Sequence, residues 1–310
     1  MTTLITGGTG RSGLSLAKLL QGANRPVIIA SRSGEAPKPF KAVKFDWFDS
    51  KTYENALSDS SIDRVYIVGP PGSADSSVLI SFIDLAVSKG VKRFVLLSAT
   101  VFEPQTNSAI PASVVHQYLL DKGVDYVVLR PTWFIQNFGA SFLVSIKENN
   151  EVFSAAQDGR LPWVSTEDIG QAAFEALTAE PSPNKDIFVV GPELHSYADA
   201  AKIASSVLGR TINYKRFTVE EQTAFYTQLG VSPEYAKLLA EMDRGIEEGH
   251  EEALFNDPKT AAEGRKFIGP DGAIIPAGVI HQYLLEIGVN YTVLRPARFI
   301  GKPTGYVIML

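Results

Sequence analysis

The sequence predicts an α/β protein, with a doubly wound parallel sheet followed by a smaller, helix-rich C-terminal cap. Short β-branched apolar runs alternate with helical patterns through the first half of the chain, which is typical of a parallel sheet covered on both faces. A glycine-rich loop separates the first strand from the first helix, and the alternation breaks down from about Gly139. These observations together predict one large α/β domain and a second, smaller part.

The elements of the first half follow from this alternation. Strands are predicted at Thr3–Thr6, Val27–Ala30, Ala42–Phe45, Arg64–Val68, Arg93–Ser98 and Tyr126–Leu129. Helices are predicted between them at Ser12–Gln21, Tyr53–Leu57, Ser76–Lys89 and Ala112–Lys122. Six strands joined by such crossovers form a doubly wound sheet.

The second half is richer in helices. Helices are predicted at Tyr197–Leu208 and Val219–Gly249, with short strands such as Asp186–Val190 separating them. The acidic stretch Glu241–Glu252 contains apolar residues at helical spacing, so it predicts a solvated amphipathic helix rather than a binding tail.

An internal repeat marks the C-terminal end. Pro111–Ile135 recurs as Pro276–Ile300, with 17 of 25 positions identical. One extra helix-strand copy cannot stack a continuous core, so we interpret it as a partial duplication rather than a solenoid or a second active site. The predicted domains are therefore residues 1–138, residues 139–267 with elements that return to the sheet, and residues 268–310 as the duplication.

Composition excludes several function classes. The 310-residue chain has a formal net charge of −5, which provides no basic field for nucleic acid. It contains no cysteine and four scattered histidines, so a metal site is not expected. No leader pattern and no run of about 20 apolar residues is present, so we expect a cytoplasmic protein without membrane contact. The sequence is compatible with a homodimer.

The strongest chemical signal is the loop Thr6–Gly13, of sequence TGGTGRSG, between the first strand and the first helix. Glycines there allow a tight turn, so that backbone amides and the positive helix end can approach a diphosphate. In this context the motif predicts a Rossmann dinucleotide site in residues 1–138. The loop residues that we expect to contact the cofactor are Gly7, Thr9, Gly10, Arg11, Ser12 and Gly13.

The end of the second strand predicts NADPH/NADP⁺ as the cofactor. An NAD site usually has an acid there for the ribose 2′-hydroxyl, whereas this chain has Ser31, Arg32 and Ser33. Arg32 and its neighbours supply donors and positive charge for a 2′-phosphate. Asp46 and Trp47, after the third strand, are placed to bracket the adenine, although Trp47 fits a core position equally well.

Several motifs together resemble the NmrA-like, atypical short-chain dehydrogenases, and among them the fungal ergot-alkaloid reductases of the festuclavine and agroclavine dehydrogenase type. The motifs are TGGTGRSG, ASRS, KFDWFD, FVLLSAT, VLRPTWFIQNF and LPWVSTEDIG, and the resemblance covers roughly residues 1–267. It implies NADPH-dependent hydride delivery to a cyclic iminium of an indole alkaloid. It also implies that the cofactor contacts Gly69, Pro70, Ser98, Ala99, Thr100, Pro131, Thr132 and Phe134.

The candidate catalytic residues are His116, Trp133 and Tyr226. Conventional short-chain dehydrogenases carry a Tyr-xxx-Lys pair, but the corresponding stretch Ala112–His116 has neither residue. An iminium needs no proton on hydride addition, so the missing pair favours iminium reduction over ketone reduction. His116 is either a proton donor or a packed helix residue.

Trp133, Phe134, Phe138, Phe225 and Tyr226 form a candidate aromatic wall for a small hydrophobic, indole-alkaloid-like substrate. Two tempting charged residues fit structural roles better. Asp168 lies at a predicted helix start, and Arg130 is interpreted as a buried anchor at a strand end.

The resemblance implies three alternative functions. The first is an NADPH-dependent oxidoreductase that reduces an iminium, imine or conjugated intermediate of fungal indole-alkaloid biosynthesis. The second is a redox-linked, Diels-Alderase-like cyclase on the same scaffold in a prenylated-indole pathway. The third is a non-catalytic NADP(H)-binding regulator, against which the aromatic residues and the large cap argue.

Overall fold

The computed structural model describes residues 1–263 and 265–266. Its main element is a largely parallel β-sheet. The strands are β1 Thr2–Thr6, β2 Val27–Ser31, β3 Lys41–Lys44, β4 Ile62–Ile67, β5 Arg93–Leu97, β6 Asp125–Pro131, β7 Glu151–Ser154, β8 Arg160–Leu161, β9 Lys185–Val190, β10 His195–Ser196, β11 Asn213–Arg216 and β12 Arg265–Lys266. Among these residues the main sheet has the order β12-β9-β6-β5-β4-β1-β2-β3. Each neighbouring pair from β9 to β3 is parallel.

The strand order confirms the predicted fold class. β1 lies between β2 and β4, so the chain winds outward from β1 in both directions, and the sheet has a switch point there. Ligands of such sheets bind beyond the carboxyl ends of the strands near that point. β9, which the sequence predicts at Asp186–Val190, returns from the second half to pair with β6.

The helices are α1 Arg11–Gly22, α2 Lys51–Ala56, α3 Ser77–Ser88, α4 Pro111–Lys122, α5 Thr166–Thr178, α6 Tyr197–Leu208, α7 Val219–Gln228, α8 Pro233–Glu247, α9 His250–Asn256 and α10 Pro258–Glu263. A 3₁₀ turn covers Ile135–Gly139 and a π turn covers Ser145–Asn149. Every strand and helix predicted in the first half is present, with bounds that differ by no more than two residues.

The described chain forms two compact units. The first, which we call the sheet unit, comprises Met1–Pro131, Thr166–Val189, Glu263 and Arg265. The second, the helical unit, comprises Thr132–Ser165, Val190–Ala262 and Lys266. These bounds differ from the predicted domains because Thr166–Val189 returns to the sheet. The cofactor-binding and substrate-binding roles assigned to the predicted domains stay predictions.

The core of the sheet unit explains its apolar strands. All five residues of β1 are buried, as expected for a strand with covered faces on both sides. Helix side chains and strand side chains share one cluster, which includes Leu4, Ile67, Phe82 and Phe94. Burial of each such side chain contributes roughly 1.5–3 kcal/mol.

The helical unit shows clear helix start signals. Ser196 and Asp199 form a reciprocal capping box at α6, and Thr218 and Glu221 form another at α7. Ser232 caps α8, which has proline at its first position. These local patterns explain why the helices begin where they do.

The amphipathic helix predicted across Glu241–Glu252 is divided in two. Met242 and Ile246 are buried as expected, but α8 ends at Glu247 and α9 begins at His250. Gly249 adopts φ +83° between them, a conformation that glycine tolerates and that interrupts the helix.

The described residues include no helix that is long and apolar enough to cross a membrane. They also include no group of three or more His, Asp or Glu side chains that could hold a metal ion. The second repeat copy, Pro276–Ile300, lies outside the described residues.

Candidate functional site

The carboxyl end of β1 is joined to that of β4 through Thr6. Its hydroxyl donates to the Tyr66 carbonyl at 3.1 Å and accepts from the Val68 N–H at 2.9 Å. This places the glycine loop beside the segment that contains Gly69 and Pro70, both half-buried. The two segments flank the switch point, where a dinucleotide diphosphate binds in this class of sheet.

The glycine loop is folded tightly against the start of α1. Gly7 has φ +63°, in the left-handed region that glycine adopts without strain. A Cβ atom on Gly13 would lie 2.7 Å from the Gly7 carbonyl oxygen and 2.8 Å from the Gly8 Cα. The glycines are therefore required by the loop geometry, and the absence of side chains there leaves the backbone open to a diphosphate.

The start of α1 is suited to an anion. Gly10 is the N-cap residue, no side chain caps the helix, and its first turn contains no acid. The N–H groups at a helix start carry partial positive charge, which favours a phosphate there. Ser12 is buried and receives a hydrogen bond from the Tyr66 hydroxyl at 3.4 Å, whereas Thr9 is exposed. The predicted loop residues thus fit a dinucleotide diphosphate.

The end of β2 leaves two donors for a 2′-phosphate. Ser31 is buried and donates to the Glu35 carbonyl at 2.7 Å, so its hydroxyl hydrogen is used within the turn. Ser33 accepts from the Glu35 N–H at 3.2 Å, and its own hydroxyl has only a long contact of 3.5 Å with Ser31 Oγ. Arg32 is exposed and forms no ion pair within the described part of the chain. The geometry favours Arg32 and Ser33 over Ser31 as phosphate donors.

Trp47 occupies a core position. Its ring packs against Phe45 and Phe82 at centroid distances of 4.8 and 5.4 Å, and its indole N–H donates to the Val68 carbonyl at 3.1 Å. These contacts favour the packing alternative for Trp47. Asp46 is half-buried, and one of its carboxylate oxygens accepts from the Phe48 N–H at 3.0 Å. The adenine contacts predicted for both residues stay predictions.

Arg130 anchors the segment after β5. Its guanidinium donates to the Thr100 carbonyl at 2.7 Å and to the Asp186 carboxylate at 3.0 Å, and it forms an ion pair with Glu103. The strand-end anchor that the sequence predicts is therefore present. It holds the buried segment Ser98-Ala99-Thr100 beside Pro131, whose carbonyl accepts from the Thr100 N–H at 3.0 Å.

His116 belongs to the same buried network. It lies on α4 at 2% exposure, with Nε2 at 2.8 Å from Asp186 Oδ1. Burial raises the pKa of Asp186, but hydrogen bonds and charges from His116 and Arg130 outweigh this and hold the pKa below its ordinary value. These contacts favour the packing alternative for His116, while its catalytic role stays untested.

A Tyr-xxx-Lys pair does occur on α4, at Tyr118 and Lys122, and the sequence reasoning missed it. The two side chains are 3.1 Å apart, and both bond to the Asp84 carboxylate on α3. They lie in the last turns of α4. Because a crossover helix runs antiparallel to its strands, that end faces the amino edge of the sheet. Lys122 therefore forms a surface ion pair with Asp84, and both residues of the Tyr-xxx-Lys pair lie away from the strand ends that bind ligands.

The helical unit contains a buried carboxylate that the sequence analysis also missed, Asp243 of α8. Asp243 Oδ1 accepts from Trp133 Nε1 at 3.1 Å, and Oδ2 accepts from Ser154 Oγ at 2.6 Å and from Gln222 Nε2 at 2.8 Å. Burial raises the pKa of Asp243 to about 6, although the three hydrogen bonds lower it. A charged residue within the apolar stripe of a predicted helix is the signal that could have revealed it.

Tyr226, Thr132 and Phe134 are further predicted residues that lie in this unit. The Tyr226 hydroxyl accepts from Gln222 Nε2 at 3.3 Å, and its ring lies 6.1 Å from Phe153. Thr132 is buried and donates to Glu251 at 2.9 Å. Phe134 is buried and forms a bridge with Val164. The structure thus joins Trp133 and Tyr226 through one network.

The sheet order and the glycine loop define a dinucleotide-binding α/β fold. A family model described as NAD(P)H-binding matches residues 7–180. Agroclavine dehydrogenase of Claviceps fusiformis is 39% identical over 277 residues, covering 86% of this chain and 95% of the relative. Festuclavine dehydrogenase of Aspergillus fumigatus is 36% identical over 269 residues, covering 84% of this chain and 92% of the relative.

The chain therefore belongs to the NAD(P)H-binding family, in the group that contains the agroclavine and festuclavine dehydrogenases. The predicted resemblance and the prediction of an NAD(P)H-dependent oxidoreductase are confirmed. Among solved structures, the triphenylmethane reductase of Citrobacter sp. complexed with NADP(H) superposes with a TM-score of 0.69 at 21% identity. The superposition covers 92% of this chain and 100% of the reductase chain, and it supports the fold assignment.

The first prediction concerns Arg32. Arg32→Ala should raise the dissociation constant of NADPH by about tenfold or more and leave that of NADH unchanged, because only the phosphate loses a charge-assisted hydrogen bond. Titration calorimetry measures both constants. Lys41→Ala, which removes an exposed cation from the amino end of β3, is the control. Equal losses for the two cofactors would contradict the 2′-phosphate assignment.

The second prediction separates packing from catalysis at His116. His116→Ala should lower the free energy of unfolding by about 1–3 kcal/mol, since Asp186 loses a buried partner. Turnover per folded molecule should be retained. Urea denaturation and steady-state kinetics measure the two effects, with Gln117→Ala as the control on the same helix. Normal stability with lost turnover would instead support the catalytic role.

The third prediction follows from Asp243. Because its pKa rises on folding, its contribution to stability is full below its ordinary pKa and is lost as pH rises through about 6. Wild-type protein should therefore lose about 3 kcal/mol relative to Asp243→Asn between about pH 4 and about pH 7. Urea denaturation across this range tests it. The facing Tyr197, Tyr214 and Tyr226 have raised pKa values and stay neutral. A constant difference would contradict the prediction.

Proposed function

We propose that the protein is an NADPH-dependent reductase of a cyclic iminium or imine intermediate in fungal indole-alkaloid biosynthesis. The names of the relatives, dehydrogenases of agroclavine and festuclavine, support the alkaloid class of substrate. The open glycine loop and the uncapped start of α1 support cofactor binding. Arg32 and Ser33 support NADPH over NADH.

The position of the Tyr118–Lys122 pair is the observation that carries the reaction type. The pair binds Asp84 of α3, so it does not act as the proton donor of a ketone reductase at the carboxyl edge of the sheet. Reduction of a ketone produces an alkoxide that must be protonated. Reduction of an iminium ion produces a neutral amine and needs no acid.

Bound NADPH would supply the hydride. In that reaction a C–H bond would form at the iminium carbon, the π pair of the C=N⁺ bond would become the nitrogen lone pair, and NADP⁺ would be the oxidised product. The chain's own contribution is binding and orientation, which can supply several kcal/mol of the barrier reduction. The Ser98–Thr100 segment, fixed by Arg130, is our candidate for the edge that holds the nicotinamide.

The fourth prediction tests this function. The protein is incubated anaerobically with NADPH deuterated at C4 and with indole-alkaloid iminium ions, and each product is examined by mass spectrometry. We expect NADPH to be consumed. The product should contain two hydrogen atoms more than the parent imine, and one of the two should be deuterium. Gly13→Ala, whose added Cβ would meet the Gly7 carbonyl at 2.7 Å, should abolish both.

Other outcomes identify the other functions. A product with a new ring would favour a redox-linked cyclase on this scaffold. Tight NADPH binding without turnover of any substrate would favour a non-catalytic regulator. A ketone reduced faster than every iminium would contradict the proposed reaction type.

A further inference from the structure

The directions of the hydrogen bonds around Asp243 show that the network is arranged for an anion. The Gln222 amide oxygen accepts from the Ala155 N–H at 2.5 Å, which turns its nitrogen toward Asp243. Ser154 Oγ accepts from the Ala156 N–H at 2.9 Å, so its hydrogen is free for Asp243. The Trp133 indole N–H can only donate. Both carboxylate oxygens therefore accept, and the arrangement suits the ionised form.

No cation neutralises this carboxylate within the described residues. Asp243 is 3% exposed, and none of the ion pairs between described side chains includes it. The titratable groups that face it are Tyr197, Tyr214 and Tyr226, whose pKa values are all raised. A buried negative charge held only by neutral donors is costly, and a purely structural link would not require it.

The network connects the carboxylate to both aromatic residues that the sequence assigns to the substrate. Trp133 is bonded directly to Asp243, and Tyr226 is bonded to it through Gln222. An anion that accepts from an indole N–H polarises the ring toward greater electron density, since hydrogen-bonded groups polarise one another at low dielectric. The negative potential of the ring face then increases, and that face attracts a cation more strongly.

We propose that Asp243 is a specificity-determining positioning residue, which acts through Trp133 to favour a cationic substrate over an uncharged one of the same shape. Asp243 does not touch the substrate in this proposal. The inference rests on the proposed function, because an iminium ion is the cation in question. It goes beyond that function by naming Asp243 as the residue that makes the site prefer a cationic substrate.

The fifth prediction uses two redox-inert probes of equal shape. One is the trimethylammonium derivative of tryptamine, and the other replaces its nitrogen with carbon, giving an uncharged tert-butyl group. Calorimetry measures their dissociation constants with NADP⁺-saturated protein. Wild-type protein should bind the cation at least about tenfold more tightly than the isostere, as a desolvated cation–π contact allows.

Two variants separate charge from packing. Asp243→Asn should remove most of this preference, because it weakens binding of the cation and leaves binding of the uncharged isostere unchanged. Trp133→Phe, which keeps an aromatic ring but removes the N–H donor, should reduce the preference in part. An unchanged ratio in Asp243→Asn, or an equal loss for both probes, would overturn the proposal in favour of a structural role. Absence of any cation preference in the wild type would overturn it as well.

A measurement on the wild type keeps the test independent of any variant. The cation preference should fall as pH is lowered from about 7 to about 5, because Asp243 becomes protonated through its pKa of about 6. A preference that does not change with pH would overturn the proposal. Binding of these probes needs no turnover. A protein that prefers the cation but reduces no iminium would refute the proposed function alone, whereas iminium reduction with an unchanged ratio would refute this inference alone.

Discussion

The buried guanidinium of Arg130 is the interaction on which the carboxyl edge of the sheet unit depends. It bonds to the Thr100 carbonyl, the Asp186 carboxylate and Glu103, and it lies 4.7 Å from the centre of the Phe188 ring. It therefore joins the segment after β5 and the end of β6 to β9. Because a guanidinium carries five donors in one plane, a single side chain can hold three segments in a fixed geometry.

The two units surround a carboxylate in opposite ways. Asp186 in the sheet unit is paired with Arg130 and His116, and its pKa lies below the ordinary value. Asp243 in the helical unit has only neutral donors, and its pKa is raised to about 6. The first arrangement stabilises a strand edge, since the opposite charges compensate each other. The second retains a negative charge that no cation among the described residues neutralises. This feature is expected of a site that selects a cation.

Sequence patterns predicted the sheet unit well because its signals are local. The apolar runs and the glycine loop each involve residues close together in the chain, and the elements of the first half appear within two residues of their predicted bounds. The second half was less well predicted. The break at Gly249 depends on one backbone conformation, and the place of β9 in the main sheet depends on pairing with β6, far away in sequence.

The sequence by itself determined the α/β class, the position of the glycine-rich loop after β1 and the residues at the end of β2, because spacing along one strand, turn or helix encodes each of them. Only the tertiary structure decided which polar groups meet. It put Trp47 in the core, occupied the Ser31 hydroxyl within its turn, and directed Tyr118 and Lys122 toward Asp84. It also brought Trp133, Ser154 and Gln222 to Asp243 from three separate segments. Hydrogen bonds between side chains distant in sequence depend on packing, and no local pattern records them.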